Sequence, residues 1–119
     1  MDKNCTIYRT VSLIGKKWTL LVLLELYKGK MKWKRYSYLK RHLPRITPKM
    51  LSARLKELEK EGIISKKIDT KTLPIKCEYS LEASGEDIIS VLRGIKKWGI
   101  DYRLKNQGCV QRDCQSCEL

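Results

Sequence analysis

At 119 residues the chain has room for one domain with a single modest core. Its 26 Lys and Arg against 13 Asp and Glu leave a formal charge of +13, which points to a polyanionic partner. No apolar run approaches the about 18 residues that a membrane span needs, and the N-terminus lacks the apolar block of a signal peptide, so no membrane partner and a cytoplasmic location are expected.

Taken in chain order, Cys5 to Leu13 is predicted to form a first helix, with Ile7, Val11 and Ile14 roughly on one side. Gly15 breaks it, and Lys17 to Tyr27 makes a second, strongly apolar helix ending near Gly29. Met31 to Arg35 alternates apolar and basic residues, as a short strand would. Tyr36 to Leu43 reads as a shorter helix, stopped by Pro44.

The next stretch, residues 47–61 with their flanks, carries the most information. Thr47 is a good N-cap, because its hydroxyl can accept from an amide left unpaired at the helix start. Pro48 suits the following position, where its missing N–H is not needed. Ile46 before the cap and Leu51 inside can close over the first turn as a hydrophobic staple. Leu51, Leu55 and Leu58 form one core-facing stripe, while Lys49, Ser52, Ala53, Lys56 and Lys60 make a small, basic opposite face. Gly62 is placed to end the helix in the left-handed conformation. A short helix, a tight turn and a capped helix with a basic outer face make a helix-turn-helix.

Ile63 to Asp69 reads as a strand, and Ile75 to Leu81 as a clearer one, with Ile75, Cys77, Tyr79 and Leu81 on one face. With Thr70 to Pro74 as their loop they form a hairpin, the wing (residues 63–81) of a winged helix. Ser84 to Asp87 has the S-x-x-D form of a capping box and is predicted to start a last helix. Ile88, Leu92, Ile95 and Tyr102 keep its helical period. Run to Lys105, it is about 30 Å long at about 1.5 Å per residue, so part of it is expected to project and pack on a second subunit. The predicted fold is mainly α with a small β-hairpin wing (α+β). Residues 1–106 are expected to form a DNA-binding and dimerisation domain, and residues 107–119 a cysteine-containing tail.

Residues 28–76 hold 16 basic and four acidic side chains, so nearly all the excess charge lies on the helix-turn-helix and the start of the wing. That confinement favours a polyanion-binding surface over a uniformly solvated lysine coat.

Several blocks resemble the HxlR-type branch of winged-helix transcriptional regulators, in order and at the right intervals. Cys5 sits where many members carry a cysteine. Leu13-Ile14-Gly15 and Lys17-Trp18-Thr19 are similar to the family's glycine-lysine-tryptophan block, with Lys16 in place of a second glycine. Lys34 to Leu39 resembles the basic, aromatic approach to the helix-turn-helix, and Ile46 to Gly62 the recognition helix. Pro74, Glu78-Tyr79-Ser80-Leu81 and Gly85 resemble the end of the wing and the start of the last helix, with Glu82 where threonine is usual. The resemblance implies a homodimeric regulator of double-stranded DNA, joined through its first and last helices.

Lys49, Ser52 and Lys56 are the first choice for the DNA face, with Ala53 placed to meet a thymine methyl. Thr47 is a cap that can also touch a phosphate, and Lys34, Arg35 and Arg45 add cations around the motif. Arg54 has two readings: a DNA contact, or a stem laid along the core edge with its guanidinium paired to Glu57 at i+3. Lys66, Lys67 and Lys71 belong to the wing, which in this fold lies over the minor groove or backbone.

Cys77 falls on the apolar face of its strand and reads as core. Cys109, Cys114 and Cys117 form C-x4-C-x2-C, to which Cys5 can add a fourth thiolate. Three readings stay open: a zinc or iron–sulfur site on Cys5, Cys109, Cys114 and Cys117; thiol–disulfide switching at Cys5; and reduced thiols in a mobile tail. No cofactor is required by the rest of the sequence, and no small-molecule substrate is identified.

An enzyme is not expected: His42 is the only histidine, it lies among Lys40, Arg41 and Arg45, and no carboxylate pair or nucleophile accompanies it. The stronger rival is a sequence-nonspecific architectural protein that coats DNA. The mixed small and polar recognition face favours base readout over coating.

Overall fold

The computed structural model describes residues 2–104, 108, 110 and 113–116. Its elements run α1 (Thr6–Ile14), α2 (Thr19–Tyr27), β1 (Lys34–Arg35), α3 (Tyr36–His42), α4 (Pro48–Lys60), β2 (Ile64–Asp69), β3 (Lys76–Leu81) and α5 (Ala83–Tyr102), with a 3-10 turn at Cys114–Ser116. The mainly helical, α+β winged helix-turn-helix expected from the sequence is what forms.

α2 is apolar all round because it is the central helix. Val22, Leu23 and Leu26 are buried, and it packs against α3, α4, α5 and β3. Leu39 of α3, Leu51, Leu55 and Leu58 of α4, and Ile63, Ile64 and Tyr79 complete one contiguous core. The three strands form an antiparallel sheet in the order β1-β3-β2, with Lys34 beside Tyr79 and Lys66 on Tyr79's other side. α2 begins later than predicted: Trp18 takes a left-handed φ of 81°, so the chain turns before helical geometry starts at Thr19.

α5 also begins elsewhere. Ser84 does not cap it; its hydroxyl donates to the Gly62 carbonyl at 3.2 Å. Glu82 is the N-cap residue, its own amide bonded to the Ile63 carbonyl at 2.9 Å, so β3 runs almost directly into the helix. Among the described residues no helix is long and apolar enough to cross a membrane.

Candidate nucleic-acid interface

α4 is held at both ends and in the middle. At its start the Thr47 hydroxyl accepts from the Met50 amide at 3.1 Å, Pro48 occupies the first turn, and the Tyr36 hydroxyl donates to the Pro48 carbonyl at 3.1 Å. At its end Gly62 takes a φ of 74°; its amide reaches the Glu59 carbonyl and the Ile63 amide the Leu58 carbonyl, a Schellman pair. In the middle, Arg54 donates from Nε to the Lys17 carbonyl at 3.0 Å and from its guanidinium to Glu57 at 3.2 Å. Lys16 reaches the same Glu57 oxygen at 3.1 Å.

Of the two readings of Arg54, the structure thus engages it along the core edge. Its side chain is only 14% exposed, and its role is to fasten α4 to the α1–α2 turn. The outer face of α4 carries Lys49, Ser52 and Lys56 exposed to solvent with Ala53 half-buried beside them. Arg35, Arg45 and Thr47 are exposed around it, and Lys66, Lys67 and Lys71 are exposed on the wing.

Lys34 is the correction. It is a buried residue and cannot form part of an open DNA face. Its ammonium donates to the carbonyls of Glu25 at 2.5 Å, Leu26 at 3.1 Å and Lys28, occupying acceptors that the C-terminus of α2 leaves unpaired. Burial pulls its pKa down to about 8, partly offset by the nearby Glu25 carboxylate. In the alternation from Met31 to Arg35, Lys34 is the buried residue while Met31 is exposed.

Other contacts had no sequence signal. Lys67 lies over the Trp33 ring, 4.7 Å from its centroid. His42 stacks on Tyr38 with centroids 3.9 Å apart, and its Nδ1 donates to the Tyr38 carbonyl at 2.9 Å, which accounts for the lone histidine without any catalytic task.

The described cysteines lie on three separate elements. Cys5 is half-buried at the N-cap of α1. Cys77 packs against the core, its thiol 3.5 Å from the Tyr79 hydroxyl; burial, then that thiol, push the phenol's pKa up. Cys114 receives the Lys96 ammonium at 3.7 Å, and the next residue's carbonyl accepts from the Gly29 amide at 2.7 Å, seating the turn on the α2–β1 loop. Cys109 and Cys117 lie outside the described residues. Among the described residues no three Cys, His, Asp or Glu side chains gather as a metal site would require.

A helix-turn-helix flanked by a hairpin, with a capped and fastened second helix whose basic face is open, makes a winged helix, and the proteins it resembles are transcriptional regulators, not enzymes. The chain belongs to the HxlR-like helix-turn-helix family, whose model matches residues 13–107. It is 46% identical over 99 residues to the HTH-type transcriptional regulator YdzF of Bacillus subtilis, covering 83% of this chain and 88% of that protein. A solved MarR-family regulator from Porphyromonas gingivalis W83 superposes with a TM-score of 0.76 at 33% identity, over 86% of this chain and 96% of the other. The redox regulator HypR in its oxidized form matches with a TM-score of 0.72 at 32% identity, over 84% and 99%.

Proposed function

We propose that this regulator binds a specific double-stranded DNA sequence as a homodimer. α4 lies in the major groove, and the wing rests on the adjacent backbone or minor groove. The observation that carries this reading is α4 itself: capped, fastened at three places, and open to solvent along Lys49, Ser52 and Lys56. Those side chains with Ala53 read base edges, while Arg35, Arg45, Thr47, Lys66, Lys67 and Lys71 hold phosphates. A dimer is supported by the first and last helices. α1 buries no residue of its own, and Ile7 and Val11, with Val91, Ile95 and Trp98 of α5, are left in solvent by a single chain.

Selection from random duplex DNA, with the protein reduced, tests the reading. Enrichment of an inverted repeat, with half-sites about one helical turn or a multiple apart, is expected. Tight but steeply salt-dependent binding without enrichment would replace it with an architectural, sequence-nonspecific protein.

Thiol responsiveness is the second part of the proposal. Cys5 begins the helix assigned to the dimer contact, and the structurally similar HypR is named a redox regulator. Oxidation there is expected to shift the subunits and change DNA affinity. An oxidant effect that survives in Cys5→Ser, or a parent that does not respond, removes that role. Metal analysis of the purified chain tests the zinc or iron–sulfur reading of Cys5, Cys109, Cys114 and Cys117.

A further inference from the structure

The tip of the wing is apolar where a DNA-facing hairpin has every reason to be polar. Leu73 is 94% exposed, and Ile68 and Ile75, which flank it across the hairpin, are 57% and 59% exposed. These side chains belong to neither α1 nor α5, so the proposed dimer contact does not account for them. The loop that presents them is shaped from within. Asp69 accepts the Lys71 amide at 2.9 Å, and the Thr72 hydroxyl donates to the Pro74 carbonyl at 3.4 Å.

Charge around the tip identifies its partner. Lys66, Lys67, Lys71 and Lys76 stand on the two strands and the loop, against Asp69 and Glu78 alone. Asp69 already holds the loop backbone. An apolar point with lysines on its loop and on the strands beneath it suits a partner with anionic rails and a flat apolar interior, which describes stacked base pairs between phosphates. The wing also contains no arginine, the side chain that ordinarily enters a narrowed minor groove. A branched apolar side chain beside a proline offers no hydrogen bond to a base edge. It can only displace water or wedge between steps.

Resting on the DNA-binding reading above, we propose that Leu73, backed by Pro74 and Ile75, is a minor-groove wedge. It enters the duplex beside each half-site and selects deformable steps there. Pyrimidine–purine steps such as TA or CA/TG open at least cost, so the wing reads flexibility while α4 reads base edges. The lysines seat the tip by holding the phosphates on either side.

The test is a parallel selection with the parent, Leu73→Ser and Leu73→Met, followed by gel-mobility measurement of DNA bending on the enriched site. The parent is expected to enrich a pyrimidine–purine step at a fixed distance outside each half-site and to bend the DNA. Leu73→Ser should keep the half-site sequences but lose the flanking step and most of the bend, with Leu73→Met restoring both. Identical flanking preferences and bends in parent and Leu73→Ser would overturn the wedge while leaving the regulator reading intact. No enrichment by any of the three would instead remove the reading on which the wedge stands. A change of oligomeric state in Leu73→Ser, read by sedimentation, would assign the tip to a second copy of the chain and overturn the wedge.

Discussion

One buried cation, Lys34, and one half-buried cation, Arg54, fasten parts of this domain by bonding to carbonyls. Arg54 bonds the Lys17 carbonyl and Glu57 from a mostly buried position, whereas its neighbour Lys16 meets Glu57 from solvent. Arg54→Ala should therefore lose about 1–3 kcal/mol of stability, as expected for charged hydrogen bonds at a partly buried site. Lys16→Ala should lose less than about 1 kcal/mol, in line with exposed pairs. Urea unfolding of the two variants decides it, and equal losses would contradict the assignment. Lys34 gives a pH signature. Its pKa near 8 in the fold lies below the ordinary 10.5, so between those values the unfolded chain binds more protons and folding gains stability as pH rises. The parent's advantage over Lys34→Met should widen from pH 8 to pH 10 in denaturant titrations. A narrowing gap would mean that the three carbonyls hold the proton more firmly than burial expels it. Lys34's task was not legible in the sequence, and Arg54's only in part: its pairing with Glu57 along the core edge was one of two readings, but its bond to Lys17 was not foreseen. Alternation names two faces without saying which is covered, and Arg54 is fastened to a residue 37 positions away.

Elements specified by their own neighbours were legible. α4 has its cap, its proline, its leucine stripe and its terminating glycine in one short stretch, and all four act as read. The wing hairpin was equally local, although pairing of β1 with β3 was not foreseen. The start of α5 was misread because it depends on a distant partner. The serine that looked like a cap instead bonds the residue ending the previous helix. The same junction explains Gly85. A Cβ there would stand 2.5 Å from the Ile63 carbonyl oxygen and 3.0 Å from a methyl of Leu81. That oxygen is fixed by the Glu82 amide, so the clash has no flexible side chain to absorb it. Gly85→Ala should destabilise by about 1–3 kcal/mol despite the better helix propensity of alanine. Gly94→Ala, where nothing lies within 4 Å, should be neutral or stabilising. Thermal unfolding of the pair is the check, and a stabilised Gly85→Ala would show that α5 is free to slide.

At the scale of the molecule, the radius of gyration of 15.4 Å exceeds the about 13.5 Å of a compact chain this long. The chain on its own is more extended than its core requires, in keeping with first and last helices that carry uncovered apolar stripes. Trp98, 56% exposed on α5, is the largest side chain on such a stripe. Trp98→Glu should convert the proposed dimer to monomer and weaken DNA binding, with the helix content of the fold retained. Sedimentation and circular dichroism read the two quantities, and an unchanged mass would move the contact elsewhere. The bond from Arg54 to the Lys17 carbonyl has a mechanical consequence for such a pair. It couples the turn that ends α1 directly to the middle of α4, with no soft linker between them. α4, with its 13 residues, is about 20 Å long. A tilt of about 20° about that midpoint, imposed where two copies meet, would sweep each end of α4 by about 3.4 Å, one base-pair step. A small reseating of the first helices is thereby geared into a change of reading frame on the duplex.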